Sequence, residues 1–282
     1  MRNNLNSALA AAPSTPPPAA LASKVSIRNV GRTFTVNRQV FQALADIKLE
    51  IRNGEFLCLV GPSGCGKSTL LRMLGGLDEP TSGTVEVRVE DASRPTSAIV
   101  FQQESVFPWL TVERNATYAL RMLGLWKGAP SQERVDYFLD RCGLMKFKSF
   151  YPHQLSGGMK QRLSIVRAFS AHPELLLMDE PFAALDEQNK LLLQQEVERL
   201  WEDNKISVLF ITHSLDEAIL LGDRVAVMSA APGRIKEIID IPFERPRNIL
   251  TLKSTPEFGQ LYGRLWSLLG EEVMAARKER QV

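Results

Sequence analysis

The chain has 282 residues, of which 44% are hydrophobic and 23% are charged, as in ordinary globular proteins with a sizeable core. Its formal charge of +2 gives no electrostatic footprint for nonspecific nucleic-acid binding, and no apolar run approaches the roughly 18 residues of a membrane-spanning helix. The three cysteines are too few and too scattered for a disulfide framework or a zinc site. These features predict a soluble protein of a reducing compartment that does not bind nucleic acid.

The first 23 residues differ in composition from the rest of the chain. They are rich in Ala, Pro and Ser, and Arg2 is the one charged side chain among them. Four prolines at positions 13, 16, 17 and 18 interrupt any helix there, which argues against a secretory signal. We therefore expect residues 1–23 to form a disordered tail and the folded domain to begin at residue 24.

From residue 24 onward, short apolar segments alternate with helical ones. The predicted strands are Val25–Ile27, Lys48–Ile51, Phe56–Val60, Ala98–Phe101, Leu175–Met178, Val208–Ile211 and Val225–Met228. Helices are predicted at Glu187–Glu202 and Leu215–Leu221, and the interval from about 111 to 170 reads as a mostly helical insertion. Continuous apolar strands that alternate with helices predict an α/β fold with a mainly parallel core sheet.

A glycine-rich loop follows the strand Phe56–Val60 directly and precedes a helical segment. It fits the pattern G-x-x-x-x-G-K-[ST], in which the backbone N–H groups and the helix N-terminus surround phosphate oxygens. Lys67 is suited to neutralise the β- and γ-phosphates, and Ser68 to bind Mg²⁺. The candidate ATP-binding residues of the loop are Gly61, Pro62, Ser63, Gly64, Cys65, Gly66, Lys67, Ser68 and Thr69.

An acidic pair ends the strand Leu175–Met178. Asp179 is a candidate Mg²⁺ ligand, either directly or through water, and Glu180 is a candidate general base for an attacking water molecule. An ordinary turn at a strand end is the alternative, and the phosphate loop upstream favours the catalytic interpretation.

The segment LSGGMKQR at 155–162 resembles the signature sequence of the ABC-type ATPases. The resemblance implies a P-loop NTPase at 24–245 with a mainly parallel core sheet, an antiparallel β subdomain and a helical subdomain at about 104–170. A helical extension would follow at 246–282. Met159 stands where the family more commonly has Gln.

In this family the signature loop covers the γ-phosphate of an ATP molecule bound to the opposite subunit. The resemblance therefore implies a head-to-tail homodimer that encloses two ATP molecules with Mg²⁺, and a single chain would be catalytically incomplete. The residues that would contact the partner's nucleotide are Ser156, Gly157 and Gly158.

Four further positions match family elements. Gln102 matches the glutamine loop that senses Mg²⁺ and the membrane partner, and Asp186 matches the aspartate loop at the dimer interface. His213 matches the switch histidine that contacts the γ-phosphate. Phe34 aligns with the aromatic residue that stacks on adenine, although Phe41 lies nearby.

The glutamine-loop context FQQESVFPWLTVERN and the segment PFERPR at 242–247 resemble the nitrate, sulfonate and taurine import ATPases. This resemblance implies two membrane permease subunits, a periplasmic or lipid-anchored solute-binding protein, and a peripheral position on the cytoplasmic face of the bacterial inner membrane. The segment at 107–110 either packs the helical insertion or contacts a permease. The alternatives are an exporter ATPase subunit and a regulatory homologue that does not hydrolyse ATP.

The C-terminal segment from Thr255 has apolar residues at helical spacing. They are Phe258, Leu261, Tyr262, Leu265, Leu268 and Leu269. We expect an amphipathic helix that packs on its own domain, with a dimer or regulatory contact as the alternative. His153 and His172 are read as surface or loop residues.

Overall fold

Nine strands in two sheets and eight α-helices form the part of the chain that the computed structural model describes, residues 22–279. The strands are β1 Ser23–Val36, β2 Gln39–Arg52, β3 Phe56–Val60, β4 Ser82–Val87, β5 Ser97–Val100, β6 Leu175–Asp179, β7 Ser207–Ile211, β8 Arg224–Met228 and β9 Ile235–Asp240. The helices are α1 Lys67–Leu74, α2 Val112–Met122, α3 Ala129–Arg141, α4 Gly157–Ser170, α5 Glu187–Asn204, α6 Leu215–Leu221, α7 Ile249–Lys253 and α8 Pro256–Glu279. Two 3₁₀ helices lie at Met145–Phe147 and Pro152–Gln154. The predicted disordered tail falls almost wholly outside the described residues.

The larger sheet has six strands in the order β5-β6-β7-β3-β8-β9. All neighbouring strands are parallel except β9, which runs antiparallel to β8. The strand β3 is buried along its whole length, and its successive side chains enter the core on opposite faces of the sheet. This order brings the carboxyl ends of β5, β6, β7 and β3 to one edge, where ligands bind in open α/β sheets.

The smaller sheet is antiparallel, in the order β2-β1-β4. Its long hairpin turns at Asn37 and Arg38, both with positive φ, which is the backbone form that matches strand twist in tight hairpins. One core cluster fills the space between this sheet, α1 and one face of the six-stranded sheet. The predicted antiparallel β subdomain is thereby confirmed, although β1 and β2 are far longer than the segments predicted from sequence.

The helices α2, α3 and α4 occupy the predicted insertion and belong to the other core cluster. Asn115 is fully buried in α2, and its side-chain amide donates to the carbonyls of Phe107 and Leu110 at 3.1 and 3.0 Å. These bonds fix the loop that precedes α2. Phe107 packs 4.4 Å from the Tyr118 ring, whereas Trp109 is 69% exposed.

The C-terminal helix α8 packs on α6 and β8. It buries Phe258, Leu265 and Leu269, three of the residues with helical spacing, while Tyr262 and Trp266 stay on the exposed side. Lys236 of β9 pairs with Glu271 and Glu272 of α8 at 2.6 and 2.9 Å. Within residues 22–279, every helix is too short or too polar to cross a bilayer.

Candidate functional site

The phosphate loop joins β3 to α1 with a tightly curled backbone. Gly64 and Gly66 have φ values of 84° and 97°, which L side chains rarely adopt. A Cβ atom at Gly66 would lie 2.6 Å from Leu44 Cδ2, so the loop also needs glycine there to approach β2. Gly66 is the N-cap of α1, and the first N–H groups of that helix point toward the loop cavity.

The Lys67 side chain is almost fully buried beneath this loop. Its Nζ atom donates to the carbonyl oxygens of Gly61 and Pro62 at 2.8 and 3.0 Å. These bonds hold the positive charge against the phosphate loop, a position that suits the phosphates of a nucleotide.

Asp179 ends β6 beside the phosphate loop. Burial raises the pKa of its carboxyl above the usual value, Glu180 raises it further, and a hydrogen bond with Ser68 opposes both. A desolvated carboxylate next to a hydroxyl offers the hard oxygen ligands that Mg²⁺ takes together with phosphate oxygens and water. Among the described residues, no group of three or more His, Cys, Asp or Glu side chains could hold a metal without such help.

Glu180 is the meeting point of three strand ends. Its Oε2 atom lies 3.1 Å from His213 Nδ1 and 3.4 Å from Gln102 Nε2. The backbone of Glu180 has a φ of 45°, and its N–H donates to the Ile211 carbonyl at 2.9 Å, which ties the residue to β7. The sequence-predicted residues Gln102, Glu180 and His213 are thus brought together although 78 and 33 positions separate them along the chain.

A cavity of about 290 Å³ opens between the phosphate loop and the antiparallel sheet. Phe34 and Phe41 face each other across β1 and β2, and both line this cavity, as does Glu180. The Arg32 guanidinium lies 4.5 Å from the Phe34 ring centre, while Phe41 is 51% exposed. Two aromatic rings beside a phosphate loop form a surface on which a base can stack.

The signature residues lie elsewhere on the chain. Ser156 is the N-cap of α4 and accepts a hydrogen bond from the Met159 N–H at 3.3 Å. A Cβ atom at Gly158 would lie 3.4 Å from Leu185 Cδ2, so the signature borders the loop that holds Asp186. Of the described residues that line the nucleotide cavity, none comes from the signature or from the Asp186 loop.

Asp186 itself caps the N-terminus of α5. Its carboxylate accepts from Asn189 N at 3.0 Å and from Asn189 Nδ2 at 2.6 Å, and these bonds lower its pKa. The residue is an exposed anion, and its assigned role at a dimer interface stays a prediction.

Sequence reasoning missed Phe41 as a cavity residue of equal standing, and it missed the groups that support His213. Ser214 caps α6, and Arg247 Nη1 donates to the carbonyls at the other end of that helix. Thr212 and Glu217 are hydrogen bonded to each other beside them. The arginines of the segment PFERPR at 242–247 could have indicated such a contact. The sequence does not show, however, that the segment packs against α6.

The loop, the buried lysine and the acidic strand end define a P-loop nucleotide hydrolase. Comparisons with known proteins specify the class further. The ABC transporter family model matches residues 44–183. The nitrate import ATP-binding protein NrtD of Synechocystis sp. is 42% identical over 255 residues, which cover 87% of this chain and 94% of that protein.

The aliphatic sulfonates import ATP-binding protein SsuB of Bacillus thuringiensis is 38% identical over 239 residues, which cover 84% of this chain and 92% of that protein. A dimeric ATP-binding cassette solved in a post-hydrolysis state with ADP and Pi superposes with a TM-score of 0.67 and 30% identity, covering 78% of this chain and all of that one. The chain belongs to the ABC transporter family as an ATP-binding protein, and it is an ATP hydrolase.

Proposed function

We propose that the chain is the ATPase subunit of an import complex, in which two copies enclose two ATP molecules head to tail and drive solute uptake through membrane permeases. The observation that carries this proposal is the division of the site. Gln102, Glu180 and His213 meet at one carboxylate oxygen, whereas Ser156 lies outside the cavity of its own chain. A second copy can supply the missing contact to the γ-phosphate.

The cavity would hold the base of the nucleotide on one side and its phosphates on the other. Phe34 and Phe41 stack on the base, and the loop N–H groups and Lys67 bind the phosphates. Ser68, Asp179 and Gln102 would hold Mg²⁺, which neutralises charge on the β- and γ-phosphates when it is bound.

Hydrolysis requires that a water molecule be oriented and deprotonated next to the γ-phosphate. The Glu180 carboxylate accepts the proton of that water at an oxygen of its side chain, and His213 and Gln102 hold the carboxylate in place. The strained positive φ of Glu180 fixes the direction of the side chain. Loss of the γ-phosphate contacts then lets the dimer reopen.

The contact with the permeases would lie on α2. A cavity of about 520 Å³ is lined by Trp109, Tyr118 and Met122 among others, and Trp109 and Met122 are mostly exposed. An amphipathic helix of a membrane subunit could insert its apolar side chains there. This contact would place the chain on the cytoplasmic face of the inner membrane as a peripheral subunit.

The transported solute is proposed from the relatives, which are named for nitrate and sulfonate import. Selection among nitrate, taurine and alkanesulfonates would belong to the permease and to a solute-binding protein. Transport assays of the reconstituted complex with these anions would identify the solute. Transport only in the outward direction would favour an exporter.

The proposal is tested by the substitution Glu180→Gln, which keeps the size of the side chain and removes its basicity. We expect ATP binding and dimerisation to persist while the ATP hydrolysis rate falls by about 100-fold or more. Glu187→Gln, at an exposed position in the first turn of α5, is the matched control and should hydrolyse ATP like the unmodified protein. Equal rates for Glu180→Gln and the control would reject Glu180 as the base.

A further inference from the structure

A further cavity, of about 300 Å³, lies between the helical segment and the loop that precedes β5. Its walls include Asp91 and Arg94 of that loop, Lys127 just before α3, Arg134 in the second turn of α3, and His172 after α4. It shares no lining residue with the nucleotide cavity, as far as the described residues show. Its volume is at the lower end of the range for small-molecule sites.

Positive charge dominates this lining. Arg94, Lys127 and Arg134 supply three cations, and Asp91 supplies one carboxylate, so the lining carries a net charge of 3 − 1 = +2 with His172 neutral. The Asp91 carboxylate is already occupied, because it accepts from the Ser93 N–H at 2.8 Å and from the Ser93 hydroxyl at 2.6 Å. It keeps its negative charge and offsets part of the positive charge of Arg94 and Lys127, which leaves the lining net positive.

The cations differ in how they are held. Arg94 is fixed, since its Nε donates to the His172 carbonyl at 2.9 Å and its Nη2 to the Pro173 carbonyl at 2.7 Å, and its charge is paired with Glu174 at 3.5 Å. Lys127 and Arg134 are not so constrained: within residues 22–279 neither charged group has a hydrogen-bond or ion-pair partner. Both side chains are exposed, and two unpaired cations on one concave surface that a single carboxylate only partly offsets attract anions.

The N-terminus of α3 adds to this field. Gly128 is the N-cap and has no side chain to satisfy the N–H groups of the first turn, although Pro130 in that turn has no N–H, and the helix runs for 13 residues. Ser131 is nearly buried in the first turn, and its hydroxyl accepts from the Lys127 N–H at 2.8 Å, which holds Lys127 against the helix end.

The pKa of His172 responds to the same positive charges. Burial, followed by the charges of Arg94 and Arg134, lowers the pKa of its imidazole to about 4. The ring is therefore neutral at pH 7 and can take part in a hydrogen bond without adding charge.

We propose that this cavity binds a small oxyanion, either a free inorganic ion or the phosphate group of a metabolite, between Lys127, Arg134 and the N-terminus of α3. The site is separate from the ATP site and goes beyond the import function proposed above. Because the other walls come from the loop before β5 and from the end of α4, a bound anion would lie between the helical segment and the six-stranded sheet.

Histidine resonances allow a site-specific test, because the whole chain has only three histidines. In a heteronuclear NMR titration of the full chain, His172 reports this cavity and His213 reports the nucleotide site. We expect inorganic phosphate, nitrate or glycerol 3-phosphate to shift the His172 signal saturably. A response to the inorganic ions identifies a free ion as the ligand, and a response to glycerol 3-phosphate alone identifies a phosphorylated metabolite.

Four variants separate this site from other causes of a shift. Arg134→Ala and Lys127→Ala should each weaken the apparent affinity at His172 by about 10-fold or more, as expected for loss of a charge-assisted hydrogen bond. Lys146→Ala removes an exposed lysine elsewhere and should leave that affinity unchanged. Lys67→Ala should abolish any phosphate response of His213 and preserve that of His172.

The proposal is overturned if no anion shifts His172, or if Arg134→Ala and Lys127→Ala titrate like the unmodified protein.

Discussion

At the scale of single residues, the proposed chemistry depends on one strained position. Glu180 combines a positive φ, a backbone bond to β7 and a carboxylate oxygen shared by Gln102 and His213. A non-glycine residue held at positive φ costs on the order of 1 kcal/mol, and such strain is retained where it fixes a functional group. The geometry therefore favours a positioned base over an ordinary turn.

His172 gives a residue-scale prediction for stability against pH. Its folded-state pKa of about 4 lies below the ordinary value of 6.5, so the unfolded chain binds the proton more readily. The contribution to stability is complete above pH 6.5 and is lost as the pH falls toward 4. We expect His172→Asn, in which Asn tolerates the positive φ, to reduce the loss of stability between pH 7 and pH 5 by about 1 kcal/mol.

Chemical denaturation of both proteins at the two pH values measures this difference. His153→Asn is the matched control, because His153 is exposed and lies outside this cavity. The interpretation fails if His172→Asn loses as much stability as the unmodified protein on acidification.

At the scale of elements, α6 is held at both ends. Ser214 caps its N-terminus next to His213, and the nearly buried Arg247 donates to the carbonyls of Ile219, Leu220 and Gly222 at 3.1, 3.0 and 2.7 Å. Burial lowers the pKa of Arg247 to about 10, so the guanidinium remains charged at neutral pH. A cation at a helix C-terminus satisfies carbonyls that have no partner within the helix.

Loss of the Arg247 hydrogen bonds should destabilise the fold. We expect Arg247→Ala to lower the free energy of unfolding by about 3 kcal/mol, because several buried carbonyls lose their donor. Arg264→Ala breaks an exposed pair with Glu237 and should cost less than about 1 kcal/mol. Urea denaturation compares the two variants, and equal losses would show that Arg247 does not hold α6 as described.

At the scale of the whole molecule, three surfaces are separated. The nucleotide cavity lies at the carboxyl edge of the six-stranded sheet, the signature helix α4 starts at a different surface, and the α2 cavity exposes Trp109. Separate surfaces suit a subunit that contacts ATP, a second copy and a membrane protein at the same time.

The α2 surface is tested with Trp109→Glu. We expect this variant to hydrolyse ATP within about twofold of the unmodified rate when isolated, because exposed substitutions away from the core are usually near neutral for stability. It should no longer copurify with the permease subunits. Leu77→Glu changes another exposed apolar residue and should copurify normally, and normal copurification of Trp109→Glu would exclude this docking surface.

Local patterns together with the family resemblance were sufficient to propose the candidate catalytic groups, and each of them lies within two residues of the end of a parallel strand. The fold class followed from the same strands, with β3 as the clearest case. The strands β4 and β9 were missed because neither has a continuous apolar run, and the side chains of β4 are also largely exposed. The full length of β1 was missed because register shifts near Asn29, whose φ is 52°, interrupt the alternation.

Tertiary contacts explain the remaining omissions. The pairing of Phe41 with Phe34 depends on the hairpin register, and the contact of Arg247 with α6 joins segments that are 25 or more positions apart. The charged cavity at His172 likewise assembles residues from three separate segments. Such arrangements cannot be read from one sequence without its fold.

The central claim is that each hydrolytic site is completed by the signature of a second copy. Lys67→Ala and Ser156→Arg should each be inactive alone, but their mixture forms dimers with one intact site, made from Lys67 of one copy and Ser156 of the other. We expect mixing of equal amounts to restore about one quarter of the ATP hydrolysis rate, the statistical yield for independent sites in a symmetric dimer. Full activity of Ser156→Arg alone, or a mixture no more active than its components, would contradict the account.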